Sequence, residues 1–175
     1  MRRSLLAVPL ALAALAALAG APSLHAQGAT GHGATGTADA AARAEVLAVV
    51  KRLFDGMRAG DSAAVRAVFH PQVRMVTTML RPDGTPVVRV DSIEAFLRAI
   101  GTPRPDPLDE RTSGEIVHVD GPLASAWMRY AMWIGPRFSH CGVDAFQMAR
   151  TPDGWRIVAI ADTRQRTGCP EQPAE

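Results

Sequence analysis

Three short clusters of turn-forming residues divide the C-terminal half of the chain into four apolar-rich runs, and this spacing constrains the fold more than any other feature. The clusters are Asp120-Gly121-Pro122, Gly135-Pro136-Arg137 and Thr151-Pro152-Asp153-Gly154. Each is long enough only for a tight reversal, so strands at 112–119, 123–134, 139–150 and 155–164 pair antiparallel with their sequence neighbours. A four-stranded meander has two faces to satisfy, and the upstream sequence provides helices for one of them.

Val46, Leu47, Val50, Leu53, Phe54 and Met57 recur at i, i+3 and i+4 behind Asp39, and Gly60 stands where such a helix stops. The spacing predicts a helix over 40–59. Asp61 caps a shorter helix carrying Val65, Val68 and Phe69, which ends near His70 because Pro71 disfavours helical geometry in the residue before it. Segments 73–80 and 87–90 alternate as strands around the turn Arg81-Pro82-Asp83-Gly84. Asp91-Ser92-Ile93-Glu94 opens a third helix with Ile93, Phe96, Leu97 and Ile100 on one face and Gly101 at its end. The proline-rich stretch 102–109 reads as a loop. The class is α+β.

Ahead of the first helix, Met1-Arg2-Arg3, an apolar run from Leu5 to Leu18 and the small residues up to Ala26 have the three regions of a secretory signal, with cleavage expected after Ala26. An uncleaved membrane anchor is the alternative; Pro22 and the small residue at the cut favour cleavage. Residues 27–39 read as a flexible Gly/Thr/Ala leader, 40–168 as the domain and 169–175 as a tail. The formal net charge of +2 comes from Arg2 and Arg3, and without them 17 basic residues face 17 acidic ones. No electrostatic case for a nucleic-acid partner survives. The 47% apolar and 21% charged composition excludes a chain disordered throughout.

Leu53-Phe54 to Gly60-Asp61, Val68-Phe69-His70-Pro71 and Gly154-Trp155-Arg156-Ile157-Val158 resemble the nuclear transport factor 2-like superfamily. Phe138-Ser139-His140-Cys141-Gly142-Val143-Asp144-Ala145-Phe146-Gln147 and Asp162-Thr163-Arg164 resemble its SnoaL-like and putative lumazine-binding bacterial members most closely. The resemblance covers residues 40–169. It implies a cone-shaped, cystatin-like fold in which three N-terminal helices pack on a curved antiparallel sheet around a pocket. It implies no single activity, because the superfamily holds isomerases, dehydratases, cyclases and plain binding domains.

Pairing the meander through its turns assigns two faces. One carries Val117, Val119, Ala126, Met128, Tyr130, Met132, Cys141, Val143, Ala145, Gln147, Val158, Ile160, Asp162 and Arg164. The other carries Ile116, His118, Trp127, Arg129, Trp133, His140, Asp144, Phe146, Met148, Trp155, Ile157 and Ala159, with Arg129 opposite Asp144 and Trp133 opposite His140. Both faces are largely apolar. The helices cover one, so the face with Trp127, Trp133, Phe146 and Met148 is expected to bury itself in a homodimer.

On the face assigned to the cone, Tyr130, Gln147, Asp162 and Arg164 stand among aliphatic neighbours as candidate ligand-binding residues. Asp162 as general base, Tyr130 as hydrogen-bond donor and His140 at the pocket mouth are the candidate catalytic residues. The competing reading has Asp162 and Arg164 satisfying each other, and His140 packed on Trp133. A Cys141–Cys169 disulfide fits export, although the register puts Cys169 about five residues past the cross-strand partner of Cys141. No G-x-S-x-G elbow, phosphate-binding loop, H-E-x-x-H or paired C-x-x-C occurs, so neither cofactor nor metal is expected.

Three functions are consistent with these features. The first is an exported domain that binds a small, mostly apolar ligand. The second is a cofactor-independent acid/base enzyme of the isomerase, cyclase or dehydratase kind, and the third an accessory domain that binds another protein. Whether Asp162 is free or paired with Arg164 separates the first two.

Overall fold

In the computed structural model the described residues are 32–170, with side chains described from residue 39. The expected signal segment and the end of the tail lie outside them. The chain runs α1 (His32–Ala59), α2 (Ser62–Val68), β1 (Phe69–Leu80), β2 (Pro86–Asp91), α3 (Ile93–Gly101), β3 (Leu108–Asp120), β4 (Leu123–Ile134), β5 (Arg137–Thr151) and β6 (Gly154–Thr163). Asp61 caps α2 as the sequence marks, accepting from the Ala63 and Ala64 amides, and Ser92, within the run Asp91–Glu94, caps α3 by accepting from the Ala95 amide. Asp39, the expected cap of the first helix, lies inside α1 instead. Three starts come early by four residues or more. β1 begins at Phe69 rather than 73, so α2 ends at Val68, and Phe69 and His70 belong to the strand instead of the helix. α1 begins at His32, inside the expected leader, because lengthening an established helix carries no nucleation cost. β3 begins at Leu108, inside the expected loop, since the edge of β4 offers hydrogen-bonding partners as far as Ile134.

Six strands form one sheet in the order β2-β1-β6-β5-β4-β3. The four-stranded meander is antiparallel as expected. β1 joins its β6 edge in parallel, so the sheet is mixed rather than wholly antiparallel. No tight turn connects β1 to β6, and its direction is therefore not fixed by a hairpin.

The helices lie on the inner face of the sheet. Val46, Val49, Val50, Leu53, Phe54 and Met57 of α1 are buried against Met128, Phe146, Met148 and Ile157 from the strands. Phe54 meets Phe146 edge to face, with ring centroids 6.3 Å apart. Each such side chain contributes about 1.5–3 kcal/mol by leaving water. Glu45 closes one end, accepting from Arg150 Nη2 at 2.6 Å and Trp155 Nε1 at 3.1 Å.

The structure corrects the register of β5. Met128 stands opposite Asp144, Tyr130 opposite Gly142 and Met132 opposite His140, one residue away from the pairing read from the turns. The reversal after β4 uses only Gly135 and Pro136, and an irregularity beside Met132 and Trp133 absorbs one residue. A one-residue slip exchanges the faces. His140, Asp144, Phe146 and Met148 therefore point inward, and Cys141, Val143, Ala145 and Gln147 point outward. The expected Arg129–Asp144 pair does not form: Arg129 lies opposite Val143, and Trp133 packs on Phe138 rather than His140. A second irregularity beside Gln147 and Met148 turns Trp155 and Ile157 inward as well, where both are buried.

Candidate functional site

The inner face of the sheet, α1 and α3 enclose a cavity of about 370 Å³. Its walls are apolar, including Leu53, Met57, Phe69, Phe96, Met132 and Ile160. At its polar end, neighbouring strands bring together Glu110 of β3, Tyr130 of β4, His140 and Asp144 of β5, Asp162 of β6 and Arg164 just beyond it. Cross-strand pairing explains the convergence: Glu110 faces Met132, which faces His140, while Asp144 faces Asp162. Gly142 lets this happen. A Cβ there would collide with the Thr163 carbonyl oxygen and crowd the Tyr130 ring, so only glycine allows β6 to cross so closely.

Asp162 is not free. It accepts from Thr77 Oγ1 at 2.6 Å, Arg164 Nη2 lies 3.5 Å from its other oxygen, and Tyr130 Oη lies 3.4 Å from that same oxygen. The Tyr130 hydroxyl has its shorter contact with the Thr163 carbonyl, at 2.9 Å. Burial, followed by the Asp162 charge, raises the phenol well above its ordinary value, so it stays protonated. His140 meets the Tyr130 ring edge-on at 5.7 Å, and its Nδ1 lies 2.9 Å from Ser139 Oγ. Burial, with Arg164 and Arg166 as further causes, pushes His140 down to about 4, which keeps the imidazole neutral.

Glu110 and Asp144 form a carboxyl pair. Burial raises Glu110 well above its ordinary range, and the Asp144 and Asp162 charges add to this. Burial pushes Asp144 up to about 7, against a hydrogen bond with Glu110 that lowers it. The pair holds a proton near neutral pH, as two close carboxyl groups in an apolar wall must. Three buried atoms here have no partner: His140 Nε2, Asp144 Oδ2 and Arg164 Nε. Among the described residues, no group of three or more His, Cys, Asp or Glu side chains is arranged to hold a metal ion.

Of the residues named from sequence, Tyr130, Asp162, Arg164 and His140 line the cavity, and Gln147 does not. Gln147 is exposed on the outer face, displaced by the register. Glu110, Asp144 and Thr77 were missed. Asp144 falls on the opposite face in the register read from the turns, and Glu110 falls between the expected loop, 102–109, and the expected strand start at 112. The alternation Leu108, Glu110, Thr112 against Asp109, Arg111 was the available signal. Cys141 and Cys169 are bonded, with Cα atoms 5.9 Å apart. The tail folds back as required: Cys141 and Gln165 exchange backbone hydrogen bonds at 2.9 Å, and Gly168 turns the chain at φ +71°.

Comparison with known proteins matches residues 41–161 to the family described as "Putative lumazine-binding". No curated protein matches the chain. Among solved structures, a nuclear transport factor 2-like protein of unknown function from Shewanella baltica is 16% identical, with a TM-score of 0.57 over 73% of this chain and 97% of that one. A nuclear transport factor 2-like protein with a cystatin-like fold from Novosphingobium aromaticivorans is 17% identical, with a TM-score of 0.61 over 78% and 90%. A putative dehydratase of the same superfamily from Streptomyces avermitilis is 14% identical, with a TM-score of 0.51 over 73% and 98%. At these identities the structural likeness establishes the fold, the cystatin-like α+β cone. By its family match, the chain belongs to the putative lumazine-binding family.

Proposed function

We propose that the domain binds a small, mostly apolar molecule inside the cone and holds its polar end among Tyr130, His140, Asp144 and Arg164. One observation carries the reading: an apolar cavity ends in three buried polar atoms that lack partners. Leaving such atoms unpaired is costly, and a ligand that pairs them recovers that cost. The engagement of Asp162 by Thr77 and Arg164 supports binding over catalysis by that residue, because the oxygens of a general base must be available to take a proton. Native mass spectrometry of protein purified from the periplasm is the test. A protein mass increased by one defined small molecule is expected; an apo mass under conditions that retain ligands in other proteins of this size would sink the idea.

A second reading keeps acid/base catalysis but moves it. Asp144, pushed up to about 7, has the value an isomerase, cyclase or dehydratase needs at neutral pH. Turnover of the bound compound that is lost in Asp144→Asn would establish it; an unchanged compound would remove it.

Export and dimerisation complete the proposal. The Cys141–Cys169 disulfide supports an oxidising compartment, and a mature protein beginning at Gln27 is the expected mass. On the outer face, Val90, Val76, Ala161, Ala145, Trp127 and Ile116 form one cross-strand row over all six strands. Val90 is 72% exposed, Ile116 54% and Trp127 53%. Such a row suits burial against a second copy. Phe146 and Met148 take no part in it, being fully buried within the cone. Sedimentation should give a dimer for the wild type and a monomer for Trp127→Arg.

A further inference from the structure

We infer that the ligand is a cationic amine with an apolar body, its ammonium group seated at the Glu110–Asp144 pair. This rests on the cavity-binding reading and adds the ligand's charge to it. The argument begins with a count of partners. Three carboxyl groups line the polar end of the cavity, and the cation beside them, Arg164, is drawn to Asp162. Each other basic group near the pair is engaged elsewhere or stands in solvent. At the cavity rim Arg89 pairs with Asp91 at 2.9 Å, and Arg104 donates to the Ala99 carbonyl. Beyond the cone, Arg166 is exposed on the segment after β6.

On its far side Glu110 borders a second hollow, between α1 and β3. There Lys51 pairs with Asp55 at 2.6 Å, Arg58 with Asp109 at 2.7 Å, and Arg111 with Asp109 at 2.7 Å. Glu115 on that side accepts from Thr112 and adds no cation. His140, 9% exposed, is the remaining titratable base, and its Nε2 is unpaired. The Arg164 charge reaches Glu110 and Asp144, but its one ion pair is with Asp162, so neither member of the Glu110–Asp144 pair has an ion pair, and Asp144 Oδ2, on a residue 2% exposed, has no donor.

Buried charge is paired in stable proteins, and a carboxylate accepts hydrogen bonds without donating them. An ammonium group is the complement: it donates and never accepts. An anionic ligand would meet three carboxyl groups, and a neutral one would leave the pair uncompensated. The pH behaviour follows. Asp144 is pushed up to about 7 and burial raises Glu110 as well, so negative charge develops on the pair as pH rises through neutrality. An alkylammonium stays charged well past this range. Its affinity therefore rises with pH.

The test is calorimetric titration of the full mature chain with 1-adamantanamine, 1-adamantanol and 1-adamantanecarboxylate at pH 6, 7 and 8. These probes share one rigid apolar body and differ in charge. At pH 8 the amine is expected to bind about tenfold tighter than the alcohol, with the carboxylate weakest, as a charge-assisted hydrogen bond implies. The amine–alcohol gap narrows severalfold at pH 6. In Asp144→Asn, and independently in Glu110→Gln, it falls below about twofold, with far-UV circular dichroism confirming the fold. Equal binding of amine and alcohol at pH 8, or an amine preference that survives in a folded variant, would overturn the charge assignment while leaving the cavity reading intact. Binding of none of the three by folded protein would overturn both.

Discussion

Asp109 and Asp144 lie on strands separated only by β4, and both have arginines nearby, yet they titrate in opposite directions. Burial pushes Asp109 upward, but hydrogen bonds from Arg111 and Arg58 outweigh it and hold the carboxylate below its ordinary value. Burial pushes Asp144 up to about 7, and the arginine beside it is drawn to Asp162. At the outer edge, then, the chain provides a cation for its anion; inside the cone it leaves the anion short. That shortfall sits against an apolar cavity, where a bound molecule can correct it.

The contrast between the inside of the cone and its outside can be broken by substitution. The largest effect belongs to neighbours on β5. Phe146→Ala is expected to cost about 3–5 kcal/mol and Gln147→Ala under about 0.5 kcal/mol in urea unfolding, because one side chain fills the core and the other faces water. Equal costs would restore the register read from the turns.

Next comes the outward-facing Cys141. Its bond to Cys169 spans a sequence separation of 28, and Cys169→Ser should lower stability by about 3 kcal/mol through the freed unfolded chain. An unchanged urea midpoint would mean that the tail contributes nothing to holding β6 and Arg164 in place.

Asp144→Asn should instead stabilise, and only where the pair is charged. The folded value is raised above the unfolded one, so the folded state holds the extra proton. Stability from this group falls as pH rises from about 4 to about 7 and is flat beyond. His140, lowered to about 4, acts oppositely and weakens the fold as pH falls from about 6.5. It is common to both proteins and cancels in their difference. Between pH 4.5 and pH 8 the variant should therefore gain about 3 kcal/mol on the wild type; a pH-independent difference would contradict the buried pair.

The smallest effect is the mirror image. Asp109→Asn should cost about 1 kcal/mol at pH 7 and progressively less as pH falls below the ordinary carboxylate value, because its stabilisation is lost as pH falls through a lowered carboxylate value. A penalty that persists in acid would mean the residue acts through packing rather than charge.

Much of the fold was legible in particular residues. Asp61 caps the helix it was expected to cap, the third helix starts within the run Asp91–Glu94 that marks it, and each tight turn of the meander joins antiparallel strands. The site was legible only in part. Tyr130, Asp162 and Arg164 were found because β4 and the C-terminal part of β6 were read on the correct face, whereas Asp144 and Gln147 exchanged places. The amino acids after Ile134 permit either a two- or a three-residue reversal, and alternating side chains fit both when each face of β5 is apolar. Glu110 was hidden by the prolines before it.

The sequence by itself determined the α+β class, the order of the elements, the cap of α2 and the antiparallel meander. These depend on local spacing and on backbone preferences that a few adjacent residues impose. Tertiary structure alone decided the parallel docking of β1 on β6, the irregularity beside Trp133, and hence which carboxyl groups enter the cone. Those depend on how strands distant in sequence share one curved surface, where a shift of one residue costs little locally yet turns every side chain of a strand to the other side.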